Sequence, residues 1–158
     1  MLCHPIDPVY DENSRILILG SFPSSKSRQV GFFYGHPQNR FWRVLAAVWD
    51  SPVPETIWEK RAFLLARQIA LWDVIASCEI TGSADSSIKN ARPNDLSRIL
   101  DCAAIEAIYV NGKTAERTYR RYLQNTTGRE VICLPSTSPA NAAWTLPRLV
   151  EAWGQIRF

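Results

Sequence analysis

The sequence lacks the cysteine pattern of a zinc-binding or disulfide-stabilised protein. Its four cysteines form no CxxC pair and stand far apart, at Cys3, Cys78, Cys102 and Cys133. We therefore expect reduced thiols and no metal site. The sequence also has no apolar run near the roughly 20 residues of a membrane span, and no basic, apolar leader at its N-terminus. These absences predict a soluble, cytoplasmic protein that does not act at a membrane.

Acidic residues are absent between Asn13 and Trp49, although the net charge of the chain is only +3. A second basic run, from Lys113 to Arg129, contains one acid, Glu116. If the two runs meet in the fold, they form a positive face that suits a phosphate backbone, because neutralised phosphates release counterions. The alternative is a solvated surface with ordinary variation in charge. The basic residues are Arg15, Lys26, Arg28, Arg40 and Arg43 in the first run, and Lys113, Arg117, Arg120, Arg121 and Arg129 in the second.

The length of 158 residues, of which 46% are hydrophobic and 21% charged, suits one globular domain over residues 1–158. Four short apolar runs bounded by turn residues predict strands, and segments with helical spacing predict helices between and after them. This alternation indicates a parallel α/β sheet that helices cover on both faces. The predicted strands are 15–20, 69–75, 105–111 and 130–134, and the predicted helices are 41–49, 55–68, 113–123 and 146–153.

Long loops follow the predicted strands. In open α/β sheets the ligand binds beyond the carboxyl ends of the strands, and long ordered loops usually carry function. The loops contain the sequences GSFPSSKSRQVGFFYGHPQNRFW, SCEITGSADSSIKNARPND, NGKTA and PSTSPANAAW. We therefore expect the functional site at this edge of the sheet.

The first loop approaches the phosphate-binding pattern GxxxxGK[ST] over Gly20–Ser27, and Asp73 ends a second apolar run as the accompanying aspartate would. However, Ser25 replaces the second glycine, and Pro23 removes one of the amides that would bind phosphate. The aromatic, glycine-containing segment 28–38 predicts no helix directly after this loop. These departures disfavour a nucleoside triphosphatase.

The segment 32–42, FFYGHPQNRFW, places aromatic rings beside amide side chains. Such groups can hold a flat heteroaromatic base, because rings stack on its faces and amides pair with its polar edges. Two alternatives stay open: Trp42 belongs to the core, and Asn39 caps the helix that follows. Neither alternative explains Tyr34 or His36.

Four motifs at these loops resemble one enzyme superfamily: GSFPS, FYGHPQNRFW, NGK and LPSTSPAN. From Ile16 to Trp144 the chain is similar to the uracil-DNA glycosylase superfamily, and most similar to its hypoxanthine-DNA (deoxyinosine) glycosylase branch. The resemblance implies a three-layer α/β/α fold with a central four-stranded parallel sheet. It also implies hydrolytic excision of a damaged base from double-stranded or single-stranded DNA, by a monomer that needs no cofactor.

The resemblance assigns roles to motif positions. Many relatives have an acid or asparagine at the third position of the first motif, Gly20–Ser24, where this sequence has Phe22. In the hypoxanthine branch the catalytic role is associated instead with the asparagine of HPQNRFW, here Asn39. Tyr34 falls where mismatch-directed relatives stack a ring on the flipped base. Ser136–Asn141 is the second motif, which closes on the DNA, and it lacks the bulky wedge of many relatives.

The candidate site residues come from these motifs and from the strand ends. The catalytic candidates are Asn39 and His36. The base-binding candidates are Tyr34, Phe22, Asp73 and Ser21. The DNA-binding candidates are Ser24, Lys26, Arg40, Lys113, Ser136, Ser138 and Asn141.

Asp73 stands where relatives place a base-reading amide. A carboxylate only accepts hydrogen bonds, so it would take the N1–H of hypoxanthine and repel the N1 lone pair of adenine. A structural cap of the following loop is the alternative. Asn39 cannot be a general base, because its amide does not titrate, so it would position water or bond to the base. His36 would assist the leaving group or contact phosphate, unless it is a structural histidine of its turn.

The motifs HPQNRFW and STSPAN contain no lysine, which predicts a monofunctional enzyme that leaves an abasic site. Lys26 and Lys113, in strand-end loops, keep an amine nucleophile open as an alternative. Two further alternatives are a glycosylase for uracil or another mispaired pyrimidine, and a DNA-binding relative without catalytic activity.

Overall fold

A computed structural model describes residues 1–81 and 87–158 of the chain. The strands are β1 (Leu2–Cys3), β2 (Ile16–Gly20), β3 (Ile69–Asp73), β4 (Ile75–Glu79), β5 (Lys89–Pro93), β6 (Ala107–Asn111) and β7 (Ile132–Leu134). The helices are α1 (Ser25–Val30), α2 (Phe41–Val48), α3 (Ile57–Ala66), α4 (Ser97–Leu100), α5 (Lys113–Tyr122), α6 (Gln124–Thr127) and α7 (Leu146–Trp153), followed by a 3-10 turn at Gly154–Ile156.

The central sheet has four parallel strands in the order β3-β2-β6-β7. Every residue of β2 and β3 is buried, and a strand that is buried on both faces needs cover on both sides of the sheet. Helix α3 packs on β3, α5 packs on β6, and α2 packs on α7. The predicted α/β fold with a four-stranded parallel sheet is confirmed.

The chain reverses its direction of travel across the sheet at β2. It passes from β2 to β3 on one side, and then to β6 on the other side of β2. Such a switch point opens a crevice at the carboxyl ends of the strands. Gly20 ends β2 beside Asp73, the last residue of β3, and Asn111 ends β6. These three residues therefore form the floor on which the loops build a site.

The predicted strand over 69–75 is wrong at its end. Its partner β2 stops at Gly20, so the parallel ladder stops at Asp73, and after Val74 the chain continues as β4 in a second sheet. That sheet is antiparallel, with the order β1-β4-β5. The segment predicted as a long second loop thus contains the strands β4 and β5, and its central residues 82–86 lie outside the described part of the chain.

The prediction of no helix after the first loop is also wrong. Helix α1 begins there because the Ser24 side chain accepts a hydrogen bond from Ser27 N, and Gly31 ends the helix at a φ of 79°. The helix has only six residues, too few to produce a periodic apolar pattern. Pro23 and Ser25 still depart from the phosphate-binding pattern.

The four predicted helices are confirmed with changes at their ends. Helices α2, α5 and α7 begin at the predicted residues. Helix α3 begins later than predicted, because Thr56 and Glu59 form a capping box in front of Ile57. Helices α4 and α6, of four residues each, were not predicted. Within the described residues, no helix combines the length and apolar character that a membrane crossing needs.

Candidate active site

A cleft of about 620 Å³ lies at the carboxyl edge of the central sheet. Its volume falls in the range of small-molecule sites, roughly 300–1,000 Å³, and so admits a single nucleobase. The first loop forms one wall, and the loop after β7 forms the other. The predicted site residues that line it are Ser21, Phe22, Ser24, Lys26, Tyr34, His36, Asn39, Asp73, Ser136 and Ser138. Arg40, Lys113 and Asn141 are not among its lining residues.

The Asn39 side chain is held with one orientation of its amide. Its Oδ1 accepts two hydrogen bonds, from Phe41 N at 3.0 Å and from the Thr137 hydroxyl at 2.9 Å. The backbone N–H of Phe41 can only donate, so it identifies the Oδ1 end of the amide. The Nδ2 group is therefore the end that remains for the cleft, and Asn39 offers a hydrogen-bond donor there.

Thr137 and Asn111 complete this chain of hydrogen bonds. Asn111 Nδ2 donates to Thr137 Oγ1 at 3.0 Å, which directs the Thr137 hydroxyl proton towards Asn39. Asn111 Oδ1 in turn accepts from Thr137 N at 3.1 Å. Thr137 is fully buried, so its hydroxyl bonds to these side chains and not to bulk solvent. Asn111, at the end of β6, thereby fixes the Asn39 side chain of the first loop through Thr137 of the loop after β7.

The helix-cap role of Asn39 is part of the same arrangement. The bond from Phe41 N to Asn39 Oδ1 satisfies an N–H at the start of α2, as a cap does. Capping uses the oxygen of the amide and leaves its nitrogen, so the cap and an active-site donor coexist in one side chain. A catalytic role of Asn39 stays a prediction.

Tyr34 supplies an aromatic surface beside this donor. Its ring stacks on Phe41 with centroids 4.1 Å apart and planes inclined by 18°, and it lines the cleft. Its φ of 53° lies in the left-handed region, which is costly for a bulky residue and clusters at functional sites. Because Phe41 covers one face of the ring, the part that reaches the cleft is the other face or the edge.

Gly20 permits Tyr34 and Asp73 to approach each other. A Cβ at Gly20 would lie 2.4 Å from Asp73 Oδ1 and 2.8 Å from Tyr34 Oη, closer than real Cβ contacts allow. The first motif therefore needs glycine at this position. Because Gly20 has no side chain, the Asp73 carboxylate and the Tyr34 ring can lie close together at this point of the cleft.

Asp73 is a buried carboxylate with a partner that the sequence analysis missed. Its Oδ2 lies 2.7 Å from His4 Nε2, and the residue is 3% exposed. Ile6 N donates to His4 Nδ1 at 3.2 Å, so His4 carries its proton on Nε2 and donates it to Asp73. Asn94 Nδ2 also donates to the backbone carbonyl of Asp73 at 2.9 Å. The carboxylate is thus fixed beside the cleft, where base recognition by Asp73 stays a prediction.

His36 lines the cleft in a turn that uses one of its ring nitrogens. Gln38 N donates to His36 Nδ1 at 3.1 Å, so the neutral ring carries its proton on Nε2. The structural alternative raised by the sequence accounts for Nδ1. Nε2 is left as a donor, and its catalytic use stays a prediction.

The residues of the first loop divide into packed and exposed groups. Phe22 is 8% exposed and meets the His4 ring edge-on, with centroids 5.9 Å apart. Ser24 caps α1, while Lys26 is an exposed cation at the rim of the cleft. Ser21 is buried and lines the cleft. Contacts of these residues with a base or with DNA stay predictions.

Arg40 holds the loop after β7 in place. Its guanidinium donates to the backbone carbonyls of four residues of that loop. The distances are 3.4 Å to Thr137 O, 2.9 Å to Ser138 O and 3.1 Å to Asn141 O, and the fourth acceptor is Trp144 O. The predicted contact of Arg40 with DNA remains a prediction, and its donors already face this loop.

The second motif is a series of tight turns. Ser136 Oγ accepts from Ser138 N at 3.1 Å, and Asn141 Nδ2 donates to the Ser136 carbonyl at 3.0 Å. Lys113 begins α5 as an exposed residue after Gly112, which lies against Ser136. Lys26 therefore lies on the rim of the cleft, whereas Lys113 is not among its lining residues and follows a glycine that contacts the second wall.

Three residues of this site escaped the sequence analysis: His4, Asn111 and Thr137. Asn111 and Thr137 stand inside the quoted motifs NGK and STSPAN, so their place was visible but their mutual contact was not. His4 precedes the first strand of the central sheet and carries no motif. Only the pairing of β1 with β4 brings it to Asp73.

Comparison with known proteins identifies the family of this chain. The model of the Uracil DNA glycosylase superfamily matches residues 8–157. Hypoxanthine DNA glycosylase of Methanosarcina barkeri is 37% identical over 136 residues, which are 85% of each chain. The protein of the same name from Methanosarcina acetivorans is 36% identical over 145 residues, 90% of each chain.

The fold comparison gives the same result. The solution NMR structure of a Methanosarcina acetivorans protein, provisionally assigned as a uracil DNA glycosylase, has a TM-score of 0.79 and 35% identity. The match covers 96% of this chain and 93% of that chain. With the family model, the curated relatives and the shared fold in agreement, this chain belongs to the uracil DNA glycosylase superfamily, the DNA glycosylases of base-excision repair.

Proposed function

We propose that the protein is a monofunctional DNA glycosylase that flips hypoxanthine out of DNA and hydrolyses its bond to deoxyribose, leaving an abasic site. The observation that carries the proposal is the pairing of the Asn39 Nδ2 donor and the Asp73 carboxylate acceptor around one cleft, beside the Tyr34 ring. The names of the two Methanosarcina relatives support the choice of hypoxanthine.

Asp73 would read the product of adenine deamination. Deamination turns N1 of the purine from an acceptor into an N–H donor, which a fixed carboxylate can accept. The N1 lone pair of adenine would instead face the negative charge of Asp73. A mismatched polar contact in a buried site costs about 1–3 kcal/mol, which discriminates without excluding adenine completely.

Tyr34 would offset part of the cost of flipping the base. Turning a nucleotide out of a duplex costs a few kcal/mol, and less for a mispaired base or a single strand. Stacking of a base on an aromatic side chain returns about 1–3 kcal/mol. Because Phe41 supports the Tyr34 ring from behind, the ring is preorganised and loses little freedom on binding.

Asn39 would act on the departing base or on the attacking water. In the reaction the C1′–N9 bond breaks and its electron pair stays with the base, while the water oxygen bonds to C1′ and a water proton is transferred to the base. Negative charge therefore builds on the base, and a fixed N–H donor stabilises it. Asn39 takes no proton itself, and the Nε2–H of His36 is the second donor available to the base or to a phosphate.

The remaining predicted residues would hold the DNA. Lys26 and the serines of both walls, Ser24, Ser136 and Ser138, line the cleft and would contact a phosphate backbone that enters it. Lys113 adds positive charge outside the cleft, and binding should weaken with salt. Arg40 and Asn141 would serve this binding through the loop that they hold.

Uracil is the second candidate substrate. Its N3–H stands beside a carbonyl, so Asp73 could accept from it as from hypoxanthine, and the cleft is large enough for either base. A direct comparison of deoxyinosine and deoxyuridine, each opposite all four bases, separates the two. Strand cleavage by an amine nucleophile can be tested as well, because Lys26 lies on the rim of the cleft. Borohydride trapping of a covalent enzyme–DNA adduct would contradict monofunctional hydrolysis.

The experiment that tests the proposal is single-turnover base release by Asn39→Asp and by the wild type. The substitution keeps the shape and the Oδ1 acceptor of Asn39 and removes the Nδ2 donor. Loss of a donor to developing charge costs about 100- to 1,000-fold in rate, and we expect a loss of that size on deoxyinosine DNA. The exposed neighbour Gln38, changed to Ala, is the control.

An unchanged rate for Asn39→Asp would reduce Asn39 to a helix cap. A wild-type protein that binds DNA but releases no base from any lesion would contradict the enzymatic activity. That outcome would identify a DNA-binding relative without catalytic function.

A further inference from the structure

His4 holds Asp73 from behind the cleft. Its side chain is 3% exposed, donates from Nε2 to Asp73 Oδ2 over 2.7 Å, and does not line the cleft. Asp73 does line it. His4 therefore cannot contact a bound base directly, and any effect on the base passes through Asp73.

The His4 residue is held by its backbone, by its second ring nitrogen and by two aromatic neighbours. Its backbone N donates to the Ala76 carbonyl at 2.7 Å, which continues the pairing of β1 with β4. Its Nδ1 accepts from Ile6 N. Phe22 meets the ring edge-on and Phe33 lies against it with centroids 6.0 Å apart. The ring thus has one orientation and one tautomer, with a single donor aimed at Asp73.

This arrangement divides the two oxygens of Asp73 between two tasks. Oδ2 accepts the hydrogen bond from His4. Oδ1 lies beside Gly20 at the end of β2, close to the Tyr34 hydroxyl, since a Cβ on Gly20 would contact both atoms. Without the His4 donor, the carboxylate could rotate about χ2 and withdraw Oδ1 from that point. A fixed Oδ1 accepts an N–H of the base at one position only.

We propose that His4 is a positioning residue that fixes Asp73 as the acceptor for the ring N–H of a deaminated base, and so determines the preference for hypoxanthine over adenine. The inference rests on the proposed function. The chemical class that it selects is a base with a ring N–H beside a carbonyl. Bases with a ring lone pair at that position are disfavoured.

The test uses two substitutions with different effects on the donor. His4→Phe keeps an aromatic ring against Phe22 and Phe33 and removes the donor. His4→Gln restores an N–H at a similar reach. Thermal unfolding checks that both variants are folded. Single-turnover rates are then measured on DNA with deoxyinosine and on DNA with deoxynebularine, a purine that lacks the N1–H.

For His4→Phe we expect the rate on deoxyinosine to fall about tenfold, which corresponds to one lost hydrogen bond of about 1.4 kcal/mol. His4→Gln should recover most of this loss. On deoxynebularine, whose N1 lone pair faces the Asp73 carboxylate, the variant should be no slower than the wild type. His4→Phe combined with Asp73→Ala should cost no more than Asp73→Ala alone, because the two residues act through one contact.

Equal losses on both substrates, or additive losses in the double variant, would overturn the inference and leave His4 with a structural role only. An unchanged rate of His4→Phe on deoxyinosine would overturn it as well. In both cases the wild type still releases hypoxanthine, and the proposed function stands. A wild type that releases no hypoxanthine contradicts the proposed function itself, which distinguishes the two failures.

Discussion

Substitution of Thr137 by Val tests whether the orientation of Asn39 controls the reaction. Thr137 is fully buried and lies between two side-chain amides, accepting from Asn111 and donating to Asn39. Valine has nearly the same shape and replaces the hydroxyl by a methyl group. The change removes both bonds without opening a cavity, and leaves every other residue that lines the cleft unchanged.

The structure allows the size of the effect to be estimated in two parts. The Asn111 amide loses its buried acceptor, so the free energy of unfolding should fall by about 1–3 kcal/mol. Asn39 Oδ1 then keeps only the bond from Phe41 N, and rotation of the amide becomes easier by the value of the lost bond. If rotation removes the Nδ2 donor from the cleft, the same 1–3 kcal/mol corresponds to a rate about 5- to 150-fold lower.

The assay is single-turnover release of hypoxanthine from a deoxyinosine duplex, with enzyme in excess and saturating. Thr137→Ser is the matched control, because it keeps the hydroxyl and loses only a methyl group. We expect Thr137→Ser to remain within a few-fold of the wild type, at about 1 kcal/mol or less in the barrier. A Thr137→Val protein that is folded and as fast as the wild type would show that the Thr137 hydroxyl does not control the Asn39 amide, as would equal losses in both variants.

We make three further predictions from the contacts of single residues. Gly20→Ala should abolish most base release, because its Cβ would meet Asp73 Oδ1 at 2.4 Å, whereas Gly154→Ala, with nothing within 4 Å, should behave as the wild type in the same assay. Arg40→Lys should weaken DNA binding as much as Arg40→Met does, in a fluorescence titration. Lysine keeps the positive charge but lacks the planar guanidinium that bonds to four carbonyls. If the lysine variant alone retained binding, Arg40 would contact a phosphate directly instead. Tyr119→Phe should lower the free energy of unfolding in urea by about 1–2 kcal/mol with no change in base release, because the buried hydroxyl bonds to Thr127 and to the Arg129 carbonyl at 2.7 Å each; an altered rate of release would contradict this separation.

The central strands were predictable because their signal is local. ILILG and IALWD are short, apolar and bounded by turns, and each forms a buried strand. The break after Asp73 was not predictable, because the chain stays buried through it, with the apolar residues Trp72 before it and Val74 and Ile75 after it, and only the end of the neighbouring strand defines it. Strand β5 gave no signal for the opposite reason: KNARP is largely exposed and polar, and pairs with β4 at the surface.

The site was predictable as a list of residues and not as a network. Ten of the thirteen candidates line one cleft, because motifs at the carboxyl ends of parallel strands converge there. The amide orientation of Asn39, in contrast, depends on Thr137, which is 98 residues away in the sequence. His4 and Asp73 are separated by 69 residues. Contacts at such separations follow from strand register and loop closure, which residue types alone do not specify.

The proposed reaction is tested most directly by chromatography of the free bases released from a duplex that contains one deoxyinosine, with the wild type and Asn39→Asp compared in single turnover. We predict stoichiometric release of free hypoxanthine by the wild type, an intact strand with an abasic site, and a loss of at least about 100-fold in rate for the variant. Tight binding of the duplex without release of hypoxanthine would contradict it.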